Sequence, residues 1–239
     1  MSDTAVAVVG DDDVADSLRV AGATVVTGTA DAVTGTERVV AVGRSALRDV
    51  ALADGNPLVL PVAAGRGVRS VDRDSVPAAV AAVADAAVER HPIFEVRAAG
   101  SAVGRAAFDV TAVTAEAARI SAYAVETPGD TVGRFRADGV TVATPAGSVG
   151  YARRVGGPVV EPDDTVGAVV PIAPFQTSPD HWVLSLSALS VTVTRDEATV
   201  ALFVDGERVG TVAHGEAATL EPAGRLRVAV VPESRSRFA

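Results

Sequence analysis

Arg136-Ala-Asp-Gly-Val-Thr-Val-Ala-Thr-Pro-Ala-Gly-Ser-Val-Gly-Tyr151 is the stretch on which the reading of this chain turns. Asp138-Gly139 has the composition of a turn feeding a strand, and Val140 to Ala143 is apolar enough to be that strand. The strand runs into Thr144-Pro145-Ala146-Gly147-Ser148, a tight turn that offers successive backbone N–H groups and two hydroxyls. Gly147 and Gly150 let a ligand approach the backbone closely. Tyr151, one of only two tyrosines, comes directly after, and its ring can stack on a base or a nicotinamide. Such a loop suits a nucleotide. Taken alone it equally fits a Gly/Pro turn between strands with Tyr151 as core filler.

On either side of this stretch the sequence has a β texture. From Glu95 onward it shows period-two runs, at Ala107 to Val113, Val140 to Ala143, Ser190 to Thr194 and Thr199 to Val204. Asp205-Gly206, set between Phe203-Val204 and Arg208-Val209, is a hairpin signal. An all-β second domain over residues 92–225 is expected, with a tail, 226–239, that folds back on the first domain. Residues 1–91 read differently, as short Val/Ala runs alternating with Ala-rich helical segments, the pattern of a parallel α/β layer. Strands are expected at Thr4–Val9, Thr24–Thr27, Arg38–Val42 and Pro57–Val62, and helices at Asp11–Ala21, Ser45–Ala53 and Val76–Arg90. Ligands of such a layer bind at the carboxyl ends of its strands.

Composition sets the limits. The 239 residues are 48% hydrophobic, ample for a sizeable core. The net charge is −9, from 21 basic and 30 acidic residues, and every basic residue other than the three histidines is arginine. That balance argues against nucleic acid as a main partner and fits a protein working in high salt, where hydrated carboxylates are screened from one another. Cysteine is absent, which excludes disulfides and thiolate chemistry. The residues from Met1 to Asp13 carry acids and no base, unlike a signal peptide, and the apolar runs are too short and interrupted to span a bilayer. A soluble cytoplasmic protein with no membrane partner is expected.

With Gly156-Gly157-Pro158 and Pro171-Ile-Ala-Pro174 after it, the opening stretch resembles the NAD kinase signature: an Asp-Gly turn and strand, a TPTGSTAY-like loop, GGP, and later a PI-x-P segment. The likeness extends to Val204-Asp205-Gly206 and weakly back to Ala107-Phe108-Asp109-Val110. It implies α/β plus β architecture: an N-terminal Rossmann-like three-layer α/β domain and then a C-terminal β-sandwich. It also implies ATP-dependent phosphorylation of the 2′-hydroxyl on the adenosine ribose of NAD, giving NADP. NAD, ATP and Mg²⁺ would be the small molecules used, and the chain a homo-oligomer whose β domains supply part of each other's site. The cleft between the domains is expected to be lined by the Gly43 loop, Asp109, Asp138, Thr144, Gly147, Ser148, Tyr151 and Asp205, with Asp109 and Asp138 as the candidate catalytic carboxylates. Gly65 and Gly67 match a family glycine turn.

The chain departs from that pattern at two places. Aligning the strand Val39 to Val42 sets Gly43-Arg44-Ser45-Ala46 where the family has GGDG, whose Asp takes the proton from the ribose 2′-hydroxyl. Ser45 is too weak a base to replace a carboxylate, and Arg44 either crowds a triphosphate or grips one phosphate in a different pose. The family's Asn-acid pair reads Phe108-Asp109 here. In the signature loop Ala146 and Val149 replace hydroxyl residues, and Arg154 stands near the family's Ser. Two outcomes are open: a divergent kinase in which Asp109, Asp138 or Asp49 is the base, or a homologue that binds a dinucleotide and regulates without transferring phosphate.

Three other constellations compete. Asp11-Asp12-Asp13 reads as a helix N-terminus before it reads as a magnesium site. Ala146-Gly-Ser148-Val-Gly150 approximates a nucleophile elbow, with Asp205 and His214 in hydrolase order, but Gly156-Gly157-Pro158 leaves no room for the long helix an elbow needs. Arg153-Arg154 reads as a solvated pair, or as cations for the 2′-phosphate of NADP.

Overall fold

The computed structural model describes residues 5–116, 119–162, 166–176, 180–195 and 199–238. It divides into two compact units, Met1–His91 with Arg225–Ala239, and Pro92–Gly224.

The first unit is built on a parallel sheet. Strands β1 (Val6–Val9), β2 (Val25–Thr27), β3 (Arg38–Val42) and β4 (Leu58–Val62) run in the order β2-β1-β3-β4. The end of the chain's last strand lies parallel to β4, with Arg227 beside Leu58 and Val228 beside Val59. β1 is buried along its whole length, and β3 and β4 are buried beyond their first residues. Continuous Val/Ala runs form such strands because helices cover both faces of a parallel sheet. The helices are α1 (Asp12–Val20), α2 (Gly43–Leu52) and α3 (Val76–Ala82). The Asp11 side chain caps α1 by accepting from Val14 N at 3.1 Å and pairs with Arg73. Asp12 and Asp13 fill the first turn, where the helix dipole favours acids. The hydrogen bond from Arg73 is also the chief reason the Asp11 carboxyl is held below its ordinary range.

One expectation fails here. The helix expected over Val76–Arg90 stops at Ala82, a 3₁₀ turn covers Val83–Asp85, and strand β5 (Ala87–Ala98) begins almost at once. Pro92 explains only the end of that stretch: its ring disfavours helical backbone at His91 and clashes with a helical carbonyl at Val88, so Val88-Glu89-Arg90 run extended.

Glu89, thus placed on a strand, gathers the loop after β4 and the chain's end. Its carboxylate lies 2.9 Å from His91 Nε2, 3.5 Å from Arg69 Nε and 3.1 Å from an Arg237 terminal nitrogen. Arg235 pairs with Asp72, and Gly67 N donates to Arg237 O at 2.9 Å. Burial alone would raise the Glu89 pKa, but the His91 hydrogen bond and the charges of Arg237 and Arg69 outweigh it and hold the carboxyl low. A depressed folded-state pKa stabilises fully above the unfolded value, near 4.5, and that contribution is lost as pH falls through the lower folded value. Glu89→Gln is expected to cost about 1.5–3 kcal/mol at neutral pH, the range for a hydrogen bond to a charged group. It should also flatten the acid limb of stability against pH, read by urea denaturation between pH 3 and 7.

The second unit is a β-sandwich. Its strands after β5 are β6 (Ser101–Ala106), β7 (Asp109–Thr114), β8 (Ser121–Thr127), β9 (Asp130–Ala137), β10 (Gly139–Ala143), β11 (Val166–Ile172), β12 (Trp182–Ser185), β13 (Leu189–Arg195), β14 (Val200–Val204), β15 (Glu207–Val212) and β16 (Ala217–Val230), with one short helix, α4 (Tyr151–Arg154). One sheet is antiparallel throughout, ordered β12-β11-β10-β7-β14-β15. Facing it are β9, β8, β13 and the start of β16, in that order, together with the β5–β6 hairpin. Alternate side chains of both layers fill the core, among them Phe94, Tyr123, Phe135, Leu189 and Leu202. Trp182 packs on Phe135 at 5.8 Å between centroids. Gly133 makes room for it, since a Cβ there would stand 2.7 Å from the Trp182 ring.

Candidate functional site

The site forms within the second unit, at one edge of the sheet that contains β10, the edge formed by the ends of its strands. There β10 ends at Ala143, β7 begins at Asp109 beside it, and β14 ends at Val204 next to Val110. Three connections meet at that edge: the loop 144–150, the segment Ala107-Phe108 and the turn Asp205-Gly206. Both turn residues have positive φ, 49° and 84°, as a two-residue type I′ hairpin requires.

Asp205 holds the edge together. One oxygen of its carboxylate accepts from Phe108 N at 2.7 Å and Asp109 N at 2.9 Å, and the other from Ala107 N at 2.9 Å. Its own N–H donates to Asp109 O at 2.8 Å. The loop is fastened to the same segment. Thr144 N donates to Phe108 O at 2.8 Å, and Thr144 Oγ1 donates to Ala107 O at 2.8 Å. Gly147 lies against Phe108 so closely that a Cβ on it would stand 1.9 Å from the Phe108 carbonyl oxygen. Gly147→Ala must therefore push two backbone segments apart. It is expected to cost about 1–3 kcal/mol or more, measured as a lowered unfolding midpoint.

These contacts correct the picture of a turn whose amides and hydroxyls are open to a ligand. Gly147 N and Ser148 N both donate to Thr144 O, and Gly150 N donates to Gly147 O. Ser148 is fully buried; its Oγ donates to Pro145 O at 2.8 Å and accepts from Val160 N at 3.0 Å. The loop's polar groups shape the loop. The glycine is needed for backbone packing, and Asp205 acts as a clamp on the segment that carries Asp109. A nucleophilic role for Ser148 is excluded on the same grounds. His214 Nε2 sits 2.9 Å from Thr194 O, Asp205 is engaged with three amides, and α4 has only four residues before Gly156.

The loop carries the chain out to Tyr151, which opens α4 with 40% of its surface exposed and so is no core filler. Asp109 is half-buried at the start of β7. Asp138 lies elsewhere. It is exposed between β9 and β10, and its N–H donates to Ile172 O while its carbonyl accepts from Thr114 N. Asp138 comes five residues before Ala143, about 17 Å at 3.4 Å per residue, and Ala143 pairs with Asp109, so the sheet puts Asp138 and Asp109 at opposite ends of its strands. In the first unit, Gly43-Arg44-Ser45-Ala46 is not a loop but the first turn of α2, with Gly43 at φ 84°, Ser45 exposed and Ala46 buried. Arg44 donates to Arg66 O at 3.0 Å, on the turn whose Gly65 and Gly67 also have positive φ. Among the described residues no group of three or more His, Asp or Glu can hold a metal ion, and no helix is long and apolar enough to cross a membrane.

Comparison with known proteins agrees with this architecture. The family model of the ATP-NAD kinase C-terminal domain matches residues 109–230. The structure of an NAD kinase from Archaeoglobus fulgidus in complex with ATP superposes with a TM-score of 0.75 at 24% identity, over 98% of this chain and 95% of that one. Yeast NADH kinase complexed with NADH superposes at 0.73 and 21% identity, over 88% of this chain and 68% of that one. No curated protein matches the sequence at a significant level.

Proposed function

The chain belongs to the NAD kinase family, and from that premise we propose that it binds an adenine dinucleotide against Tyr151 and Asp109 and phosphorylates the adenosine ribose 2′-hydroxyl of NAD with ATP. The observation that carries the reading is the Asp205 clamp. It fixes the backbone of Ala107, Phe108 and Asp109 against the loop that ends in the exposed Tyr151. A carboxylate and an aromatic face, both held by backbone rather than by flexible side chains, suit a ribose and its base. In this reading Tyr151 stacks on the ring system and Asp109 accepts the 2′-hydroxyl proton; the oxygen so exposed attacks the γ-phosphorus of ATP as its bond to the β,γ-bridging oxygen breaks and ADP leaves. Mg²⁺, bound with ATP, would neutralise charge on the transferring phosphates, whose oxygens would supply most of its ligands. Asp138, at the opposite ends of the strands, joins such a site only from a second copy of the chain, as the family resemblance implies.

A second reading rests on α2. Gly43 to Ala46 form a helical turn that presents Arg44 and Ser45 but no carboxylate, which favours a homologue that binds a dinucleotide and regulates. One experiment separates the two: purified protein is incubated with Mg-ATP and NAD, NADP is assayed, and thermal shifts are taken with NAD, NADP and ATP. NADP formation supports the kinase. A dinucleotide-induced shift without product supports the regulator, and no shift with any nucleotide removes both.

A further inference from the structure

Arg154 stands three residues after Tyr151 on the single turn of α4. Residues at that spacing share a helix face, with Cβ atoms about 5–6 Å apart, so the two side chains leave the helix from neighbouring points of one face. Both are exposed. The neighbouring Arg153 is engaged, donating to Gly157 O at 3.4 Å. The Arg154 side chain has no hydrogen-bond, ion-pair or ring partner among the described residues. What sets Arg154 apart is its place, three residues from an exposed aromatic ring; Arg19, Arg73, Arg97, Arg235 and Arg237 are instead tied to carboxylates.

We propose that Arg154 makes this face selective for the phosphorylated dinucleotide, NADP or NADPH, over NAD, its guanidinium taking the 2′-phosphate. The inference rests on the reading of Tyr151 as the platform for the adenine. The 2′-position belongs to the ribose attached to that base, so a phosphate there lies next to whatever flanks the ring. A phosphate monoester carries a charge of about −1.5 to −2 at neutral pH and three acceptor oxygens. A guanidinium meets two of them with parallel, charge-assisted hydrogen bonds, whereas a ribose hydroxyl offers one neutral acceptor. Being exposed and unengaged, Arg154 breaks no other contact to make these. A site of this kind retains the product of the family's reaction, or senses it where transfer chemistry is absent.

The test is calorimetric titration of the full-length wild type, Arg154→Ala, Arg154→Lys and Tyr151→Ala with NAD, NADP, 5′-AMP and 2′,5′-ADP at one ionic strength. The wild type should favour NADP over NAD, and 2′,5′-ADP over 5′-AMP, by about tenfold or more, or ~1.4 kcal/mol. Arg154→Ala should lose most of that preference through weaker NADP binding, with its ligand-free unfolding midpoint unchanged. Arg154→Lys should keep the charge and recover only part, and Tyr151→Ala should weaken all four ligands. Equal wild-type affinities for NAD and NADP, or an equal loss of both in Arg154→Ala, overturn this inference and leave the dinucleotide reading standing. Absence of saturable binding by any of the four overturns both.

Discussion

Asp205→Ala is expected to cost the second unit about 3–5 kcal/mol of stability and to abolish dinucleotide binding with it. The carboxylate accepts three backbone N–H groups at 2.7–2.9 Å, and two of them belong to the buried residues Ala107 and Phe108. Each buried donor left without a partner costs roughly 1–3 kcal/mol, and hydrogen bonds to a charged group lie at the upper end of the usual range. The three losses do not add fully, because releasing one strand of the edge lets the others reach water. Position 205 also holds φ at 49°, a left-handed backbone that Asp and Asn tolerate better than Ala. Asp205→Asn keeps that preference and one acceptor oxygen, and so should fall about halfway between. Urea denaturation reads the effect as a lower midpoint at an unchanged slope. A loss under about 1 kcal/mol for the Ala variant would mean that the clamp is not what holds the edge.

The Asp205 clamp also shows where reading the sequence stops. Asp205-Gly206 is legible as a hairpin from two residues and their flanks, because a type I′ turn is local chemistry. Asp11 to Ala21 is legible as a helix for the same reason, its cap and acidic first turn lying within four residues of one another. The strand Arg38–Val42 and the β texture after Glu95 come from side-chain pattern alone. Val76 to Arg90 misleads because an Ala/Val run carries no period that separates helix from strand, and only Pro92 hints at the change. The candidate site is harder, since its decisive contacts join residues about a hundred positions apart. Nothing local in Asp205 says that its carboxylate will face the amides of Ala107 to Asp109, and nothing local in Gly147 says that Phe108 will lie against it. Asp109 and Asp138 look like partners in the sequence, yet the antiparallel register of β7 and β10 sends them to opposite ends of the strands.

Asp109→Asn should then separate a residue that acts on substrate from one that merely builds the edge. The backbone of Asp109 carries the structural load, its N–H donating to Asp205 and its carbonyl accepting from Asp205 N. An amide of nearly the same size leaves both backbone bonds in place, so the variant should still unfold in a single cooperative transition. What the change removes is the capacity to accept a proton. For a general base that loss lowers the rate by about 10²–10⁴-fold, and NADP formation from Mg-ATP and NAD should fall by that factor while the thermal shift with NAD persists. Asp138→Asn, measured alongside, should reproduce the loss only if a second copy brings that carboxylate to the same ribose. Its effect should then fade on dilution into monomer, as that of Asp109→Asn should not. An unchanged rate in Asp109→Asn would move the base to another residue. A wild type that shifts with NAD and NADP yet forms no product would make the helical turn at Gly43 to Ala46 the reason, since the chain would then hold the dinucleotide without a carboxylate able to activate it.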